Sequence, residues 1–367
     1  MRLFISIRTV FELRGTKRFV PGDPLVDFLT CMRSGTEFPD DIWTAFEATF
    51  ATDGTHGIVD PRHSEPRFRN GYGMAMYWET LARWIPRRAF RDAKALKVPL
   101  IFCQSYDQCG TFDREIAARF LNVVNIHKTG HMHGIFTVHV GMRVRLTQKI
   151  NATHGLVTEQ KATVVDVVMH ASDKLRYSHA RPGTIFRTEF LPVGFWLHVD
   201  DFNACPVWED LLPFVADVES TASADESRAK GMFFLPAMEA DCVFQSTEKH
   251  IVKRAGFSLT HAFYLNATSS QGQTINTGVI IDCARMPPQG LVGMSNDTWW
   301  LNLYVMFSRA TKMSDMLLIR PPPRSLLEKK PPANVCAQLH KFEERVIKTR
   351  KQAEERAVKI GFDVPAI

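Results

Sequence analysis

No run of apolar residues in this chain reaches the length of about 18 that a helix needs to cross a bilayer, so no membrane span is expected. The opening MRLFISIRTV has too short an apolar stretch, and no small-residue cleavage site, to read as a secretory signal. Cysteine is scarce and unpatterned. Its seven copies (Cys31, Cys103, Cys109, Cys205, Cys242, Cys283, Cys336) are odd in number and form no C-x2-C pair. That argues against a disulfide framework or a thiolate zinc site, and for a reducing compartment. A dominant charge is lacking too. Lys and Arg number 45 against 39 Asp and Glu, and four of the six net positive charges fall from Arg324 onward. A body this close to neutral permits nucleic-acid binding without requiring it. There is no internal repeat.

Apolar side chains are plentiful. They make up 45% of the 367 residues, with 26 Phe and 7 Trp, which excludes global disorder and promises a large core. The length fits two domains, or one with an insertion. Residues 23–35 predict a helix with Asp23 as cap, Pro24 in the first turn, Leu25, Phe28, Leu29 and Met32 on one face, and Gly35 as stop. Ile42, Trp43, Phe46 and Phe50 suggest a second helix. Met74 to Ile85 reads as a third amphipathic stretch, ended by Pro86. VPLIFC (98–103) reads as a buried strand with a helix after it over 112–121. The pattern then turns to period two: Val138 to Leu146 alternates as one strand, with further strands over 162–170 and 190–199. Residues 219–231 are small and polar, a loop. LTHAFYLN (259–266), TGVIID (277–282), NLYVMF (302–307) and DMLLIR (315–320) read as strands. The last thirty-odd residues read as one solvated helix.

Two segments carry the sharpest chemical signal. The first, Asn266 to Thr274 (NATSSQGQT), leaves a strand in a turn of small residues. Such a turn lets backbone N–H groups approach a phosphate, with Gly272 withholding the Cβ that would obstruct it and Gln271 and Ser270 offering neutral hydrogen bonds. Ser270 and Thr274 are equally suited to capping the next segment. The second, Tyr304 to Ala310 (YVMFSRA), holds Arg309 just past a buried run. A planar cation on a rigid base is what an arginine finger requires. The plain alternatives are a salt-bridged surface arginine and an ordinary turn. Arg14, Lys17 and Arg18 cluster in the manner of a solvated basic patch. His127, His131 and His133 (H-x3-H-x-H) have the residue type of metal ligands, but no carboxylate or Cys lies close in sequence. Arg143, Lys149, Lys174, Arg176, Arg181 and Arg187 suit either a phosphate backbone or the polar face of strands. Phe195 and Trp196 suit base stacking or a core.

The pair SSQGQT (269–274) and YVMFSRA (304–310) resembles the fifth and sixth motifs of superfamily-one DNA helicases. The branch looks like the RecD type, which includes the petite-integration-frequency helicases of eukaryotes. Arg18 and the helix after it resemble the fourth motif. PLIFCQSYDQCGTFDREIA resembles the strand and helix after that motif. VGMRVRLTQKINATHGLVTEQKATVVDV is similar to the stretch where the family carries an SH3-like β domain, and KRAGFSL (253–259) to the run leading back into the α/β core. Two departures stand out. The family has His-Lys where this chain has Thr268-Ser269, and Asn-Gly where it has Thr158-Glu159.

The resemblance implies an α/β fold: a RecA-like second helicase domain of the P-loop NTPase type, with an inserted SH3-like domain and a basic helical tail. It implies residues 1–134 as the first part of the RecA-like domain and 135–258 as the β-rich insertion. Residues 259–320 would be the second part, with motifs five and six, and 321–367 the tail. By the same resemblance, Arg309 and Arg18 bind the γ-phosphate and Gln271 and Gly272 couple nucleotide state to the strand. Ser270 and Thr274 contact DNA phosphate or ATP-site waters, while Arg143, Lys149, Thr268 and Ser269 meet single-stranded DNA. It further implies ATP and Mg²⁺ as cofactors, a 5′-to-3′ polarity, an intracellular location (nucleus or mitochondrion in a eukaryote), and work in DNA repair, recombination and telomere maintenance. The chain contains no Gly-Lys dipeptide, so it holds no P-loop of the form G-x-x-x-x-G-K-[ST]. Its one Asp-Glu, Asp225-Glu226, lies in the polar 219–231 segment. It therefore reads as a helicase half that needs a first RecA-like domain to turn over ATP. The alternatives are a non-catalytic single-strand-binding module derived from a helicase, and a degenerate interaction protein.

Overall fold

The computed structural model describes residues 18–52, 59–109, 114–152, 155–199, 231–245, 248–287 and 293–359. In chain order the elements are α1 (Pro24–Ser34), α2 (Asp40–Glu47), β1 (Tyr72–Ala75), α3 (Trp78–Leu96), β2 (Leu100–Gln104), β3 (Tyr106–Cys109), α4 (Arg114–Leu121), β4 (Ile135–Val138), β5 (Arg143–Leu146), β6 (Lys161–Val168), α5 (Ala171–Ser178), β7 (Ile185–Arg187), β8 (Gly194–Val199), β9 (Met232–Pro236), β10 (Met238–Gln245), β11 (Lys249–Gly256), β12 (Leu259–His261), β13 (Tyr264–Asn266), β14 (Val279–Asp282), α6 (Asn296–Phe307), β15 (Met316–Ile319) and α7 (Ala333–Lys359). The chain forms two compact units. Unit 1 takes Met1–Tyr72, Ser270–Met286 and Gly290–Ile367; unit 2 takes Gly73–Ser269 and Pro287–Gln289.

Unit 1 is an α/β structure. β14 and β15 pair in parallel, Val279 opposite Met316 through Asp282 opposite Ile319, and α6 lies between them in sequence. A parallel pair joined through a helix is the elementary α/β unit. α1 forms as its sequence dictates. Asp23 accepts a hydrogen bond from the Leu25 amide at 3.0 Å, Pro24 opens the first turn, and Gly35 closes the helix in the left-handed region at φ 67°. The Asp23 carboxylate also accepts from the Met313 amide at 2.9 Å, tying α1 to the segment before β15. The core is aromatic. Phe28 stacks on Phe46 with centroids 4.1 Å apart, and Phe307 meets Phe46 edge-on at 5.5 Å, an arrangement that adds to plain area burial.

One sequence expectation fails in unit 1. NLYVMF is the last half of helix α6, not a strand. A short apolar run has no period to separate a buried strand from a buried helix. The deciding signal lies upstream, where Ser295 Oγ accepts from the Thr298 amide at 3.2 Å and starts twelve residues of helix. Burial of Trp299, Trp300, Leu303, Met306 and Phe307 then fixes it. Arg309 therefore comes after a helix.

Unit 2 is built on antiparallel sheet. Five strands run in the order β12-β5-β6-β8-β9, with smaller sheets β4-β2-β7 and β10-β11-β3, and a parallel pair β1-β13. Its largest core joins Ala89 and Ala93 of α3 and Ile101 of β2 to Val144, Val164, Phe195 and Leu197 of the five-stranded sheet. The compact units divide at 72/73 and 269/270. Three local readings are corrected. The alternating stretch 138–146 is two strands in different sheets, broken by a turn at Gly141 with φ 84°. The run 259–266 is likewise split into β12 and β13. α3 continues through Pro86 to Leu96. An interior proline costs a helix about 3 kcal/mol, and burial of Trp78, Leu81, Ile85, Ala89 and Ala93 along one face offsets it. The polar segment 219–230 lies outside the described residues.

Candidate functional site

In unit 1, three separate stretches meet at the C-terminal end of α6. The Val20 amide donates to the Thr311 carbonyl at 3.1 Å, and the Ile275 amide to the Arg309 carbonyl at 2.8 Å. Ile275 and Ala310 form a parallel bridge. These bonds bring Arg18, the turn 270–273 and Arg309 together. The Arg309 guanidinium is half-buried. Its Nε donates to the Val305 carbonyl at 2.9 Å, one Nη to Ser308 Oγ at 2.7 Å, and the other to the Gln273 carbonyl at 3.5 Å. Arg18 donates to the Ser308 carbonyl at 3.3 Å. Burial lowers the Arg309 pKa, and the Arg18 charge lowers it further. Both effects say that this cation is costly where it stands. An anion set between the two guanidiniums would relieve that cost.

The turn closes through the Gln273 amide donating to the Ser270 carbonyl at 3.1 Å. Gly272 has φ 79°, and nothing lies within 4 Å of where a Cβ would point. Glycine suits this backbone conformation, and the space a Cβ would take is open. Gln271 and Thr274 are exposed. Ser270 is fully buried beneath the turn.

Unit 2 holds the residues expected to meet DNA, and they divide. Arg143 is half-buried and donates to Thr163 Oγ1 across the β5–β6 pair at 2.7 Å, so it serves the sheet. Thr268 is exposed. Ser269 closes a turn with Asn266: its hydroxyl accepts from the Asn266 amide at 2.9 Å, and its amide donates to Asn266 Oδ1 at 2.7 Å. Lys149 is exposed at a cleft of about 480 Å³ that Ser269 also lines, together with Trp78, His127, His131 and Arg145. Arg145 was not anticipated. It is only 2% exposed, forms an ion pair with Glu159, and donates to the Tyr264 carbonyl at 3.2 Å and to Ser269 Oγ at 3.5 Å. Glu159 stands where the family motif has glycine, and it takes the glycine conformation, φ 71°. Holding a side chain in that region costs on the order of 1–2 kcal/mol, and the pairing with Arg145 offsets it. Nothing in the local sequence announces a contact across fourteen residues.

The histidine cluster does not converge. His127 and His131 meet edge-on at 5.1 Å by the cleft, while His133 turns away to share a 2.9 Å hydrogen bond with Thr260 Oγ1. Among the described residues no group of three His, Cys, Asp or Glu could hold a metal ion. Phe195 is fully buried against Phe257, with centroids 4.4 Å apart, and Trp196 packs on Phe234 at 4.9 Å. Both fill core.

No family model matches the sequence, and no curated protein matches it. Solved structures do. Bacteroides Pif1 bound to single-stranded DNA aligns over 91% of this chain and 56% of its own, at 10% identity and a TM-score of 0.51. A structure of two coordinating Pif1 helicases on forked duplex DNA aligns over 90% and 54%, at 9% identity and 0.50. Pif1 from Candida albicans covers 87% and 57%, at 15% identity and 0.44. The chain has the Pif1 helicase fold. It spans a little over half the length of these Pif1 chains, and the resemblance read from its motifs holds at the level of fold. No described helix is long and apolar enough to cross a membrane.

Proposed function

We propose that this chain is the C-terminal portion of an ATP-dependent 5′-to-3′ DNA helicase. Unit 1 supplies the second RecA-like face and its trans-acting arginines; unit 2 contains the SH3-like element and contacts single-stranded DNA, the ligand that the Bacteroides Pif1 structure holds. The observation that carries the reading is the meeting of Arg18 and Arg309 on Ser308, beside the Gly272 turn. Two guanidiniums and an exposed turn suit a phosphate. They offer no ligand for Mg²⁺, which must be held elsewhere. ATP and its metal supply the phosphoryl transfer when bound. The part of this chain is to neutralise charge on the transferring group through Arg309 and Arg18, and to sense that group through Gln271 and Thr274 on the exposed turn.

An arginine finger contributes about 10³–10⁵ in rate, but only to a phosphate already cradled by a P-loop and metal. The chain alone is therefore expected to show no measurable ATP turnover. Mixed with a separately purified P-loop-bearing half, it should give ATPase activity stimulated by single-stranded DNA, and Arg309→Ala should remove at least about a thousandfold of it. Hydrolysis by the chain alone, or activity in the mixture indifferent to Arg309, would overturn the reading. A second reading is a single-strand-binding module without catalysis. It is favoured by the guanidinium of Arg309 already engaging its own helix end and by the missing Gly-Lys. Strand binding blind to an ATP analogue, with no ATPase in the mixture, would select it.

A further inference from the structure

Between α3 and β2, unit 2 forms a second cavity, of about 250 Å³. Its walls are apolar: Ile85 and Pro86 of α3, Phe102 of β2 and Phe136 of β4. A cavity of about 150 Å³ already suffices for a benzene ring. Two polar groups interrupt that lining. The first follows from Pro86, which has no N–H to give the Ala82 carbonyl one turn earlier. Ala82 and Pro86 both line the cavity, so a backbone acceptor without its helical donor lies at the wall. The second is His261, only 2% exposed, whose Nδ1 accepts from the Phe263 amide at 3.2 Å. A neutral ring bonded in that way carries its proton on Nε2, and no described residue accepts it. Burial, with the Arg88 charge next, holds His261 well below the ordinary histidine value, and burial lowers His133 to about 4. The lining is therefore uncharged at pH 7: it contains no Asp, Glu, Lys or Arg, and its two histidines are neutral.

We propose that this cavity binds a small uncharged aromatic amide, its ring against Phe102 and Phe136, its carbonyl accepting from His261 Nε2 and its N–H donating to the Ala82 carbonyl. Hydrogen bonds left unmade away from water cost stability, and a molecule that supplies both partners recovers it. An amide carries an acceptor and a donor on one neutral group. Full charge is what the walls refuse: a carboxylate or an ammonium would enter apolar surroundings with no counter-ion in the lining. A bare hydrocarbon ring would fit the walls and leave both polar groups unpaired. Arg88 and Arg91 act on His261 from outside the lining, and their field favours the negative end of a dipole at Nε2. The site lies wholly within unit 2 and is independent of the arginine turn of unit 1.

The test uses the full chain at pH 7 with benzamide as probe, binding read by saturation-transfer NMR, and toluene and benzoate as controls with the same ring. Benzamide should bind at about millimolar concentration, the scale for a molecule of its size. Toluene and benzoate should each bind at least about tenfold more weakly. Pro86→Ala restores the N–H that occupies the Ala82 carbonyl. It should weaken benzamide about tenfold while raising the thermal midpoint, since a helix gains by losing an interior proline. His261→Phe keeps a ring and removes the donor, and should weaken benzamide by about the same factor. If His261→Phe fails to fold, Pro86→Ala and the three probes decide the matter. Benzamide bound no better than toluene, or bound equally by wild type and Pro86→Ala, would overturn the amide assignment. Benzoate bound more tightly than benzamide would overturn the uncharged class. No benzamide bound at concentrations about tenfold higher would overturn the site itself. None of these outcomes touches the ATPase mixture, which tests the arginine pair on its own.

Discussion

Arg254 in unit 2 and Arg309 in unit 1 are both withdrawn from water, and they are kept in different company. Arg254 is fully buried in a two-point pairing with Asp107, both N···O distances 2.7 Å. It lies 4.3 Å over the Phe120 ring and donates to the carbonyls of Met132 and Phe120. Arg309 is half-buried, bonds to its own helix end, and has Arg18 for an electrostatic neighbour. A buried cation matched in charge and geometry belongs to the architecture. One set beside a like charge is destabilised where it stands, and this is the ground on which Arg309 is proposed to meet an anion.

The comparison breaks most easily by removing each guanidinium. Arg254→Ala would strand the Asp107 carboxylate in the interior, and losing one partner of a buried pair costs about 3–5 kcal/mol. Arg309→Ala relieves a repulsion and loses bonds at a half-exposed helix end, so its cost should stay within about 1 kcal/mol. Urea unfolding of the two full-length variants measures both. Equal costs would mean that Arg309 is architectural as well, and would remove the ground for reading it as a finger.

How much the sequence disclosed depends on the reach of each interaction. Helix α1 was legible to the residue, because its cap, its proline, its apolar face and its stop are all local. No local pattern joins Arg18 to Ser308, 290 residues apart, and only the order of motifs pairs the two arginines. Helix α6 was misread because so short an apolar run, Leu303 to Phe307, carries no period, and α3 because the burial of its apolar face outweighs the penalty at Pro86. Arg145 was missed altogether. Alternation along β5 put it with Arg143 on a polar face, but unit 2 covers both faces of that strand, and the Glu159 that neutralises it is fourteen residues away.

Acid sharpens the contrast between the units. In unit 2, burial lowers the pKa of His133 from 6.5 to about 4, and drives His261 down in the same direction. Between those pH values the unfolded chain takes up a proton that the folded chain refuses. Stability is therefore complete above the unfolded pKa, drains as pH falls through the window, and levels off below about 4. The His133 share is at most about 3 kcal/mol. The arginine turn of unit 1 (18–20, 270–275, 308–311) contains no histidine and contributes nothing to that slope. Urea midpoints taken between about pH 7 and pH 5 should fall for wild type and fall less for His133→Gln, which keeps a side chain able to bond Thr260. An unchanged slope in the variant would assign the acid loss to other groups.

The smallest effect concerns the two left-handed turns. Unit 2 holds its turn at position 159 with a glutamate, whose pairing to Arg145 offsets the conformation. Unit 1 holds its turn at position 272 with glycine and has no such compensation. Because the space around Gly272 is open, Gly272→Ala should cost only the backbone term, about 1 kcal/mol. Gly272→Asn should cost less, since asparagine enters this region more readily than other residues with a side chain. A loss well above about 2 kcal/mol for alanine, or equal losses for alanine and asparagine, would mean that the turn is packed against something and that a phosphate has no room to approach it. A loss confined to the backbone term leaves the approach open, and the glycine then serves conformation first and ligand access second.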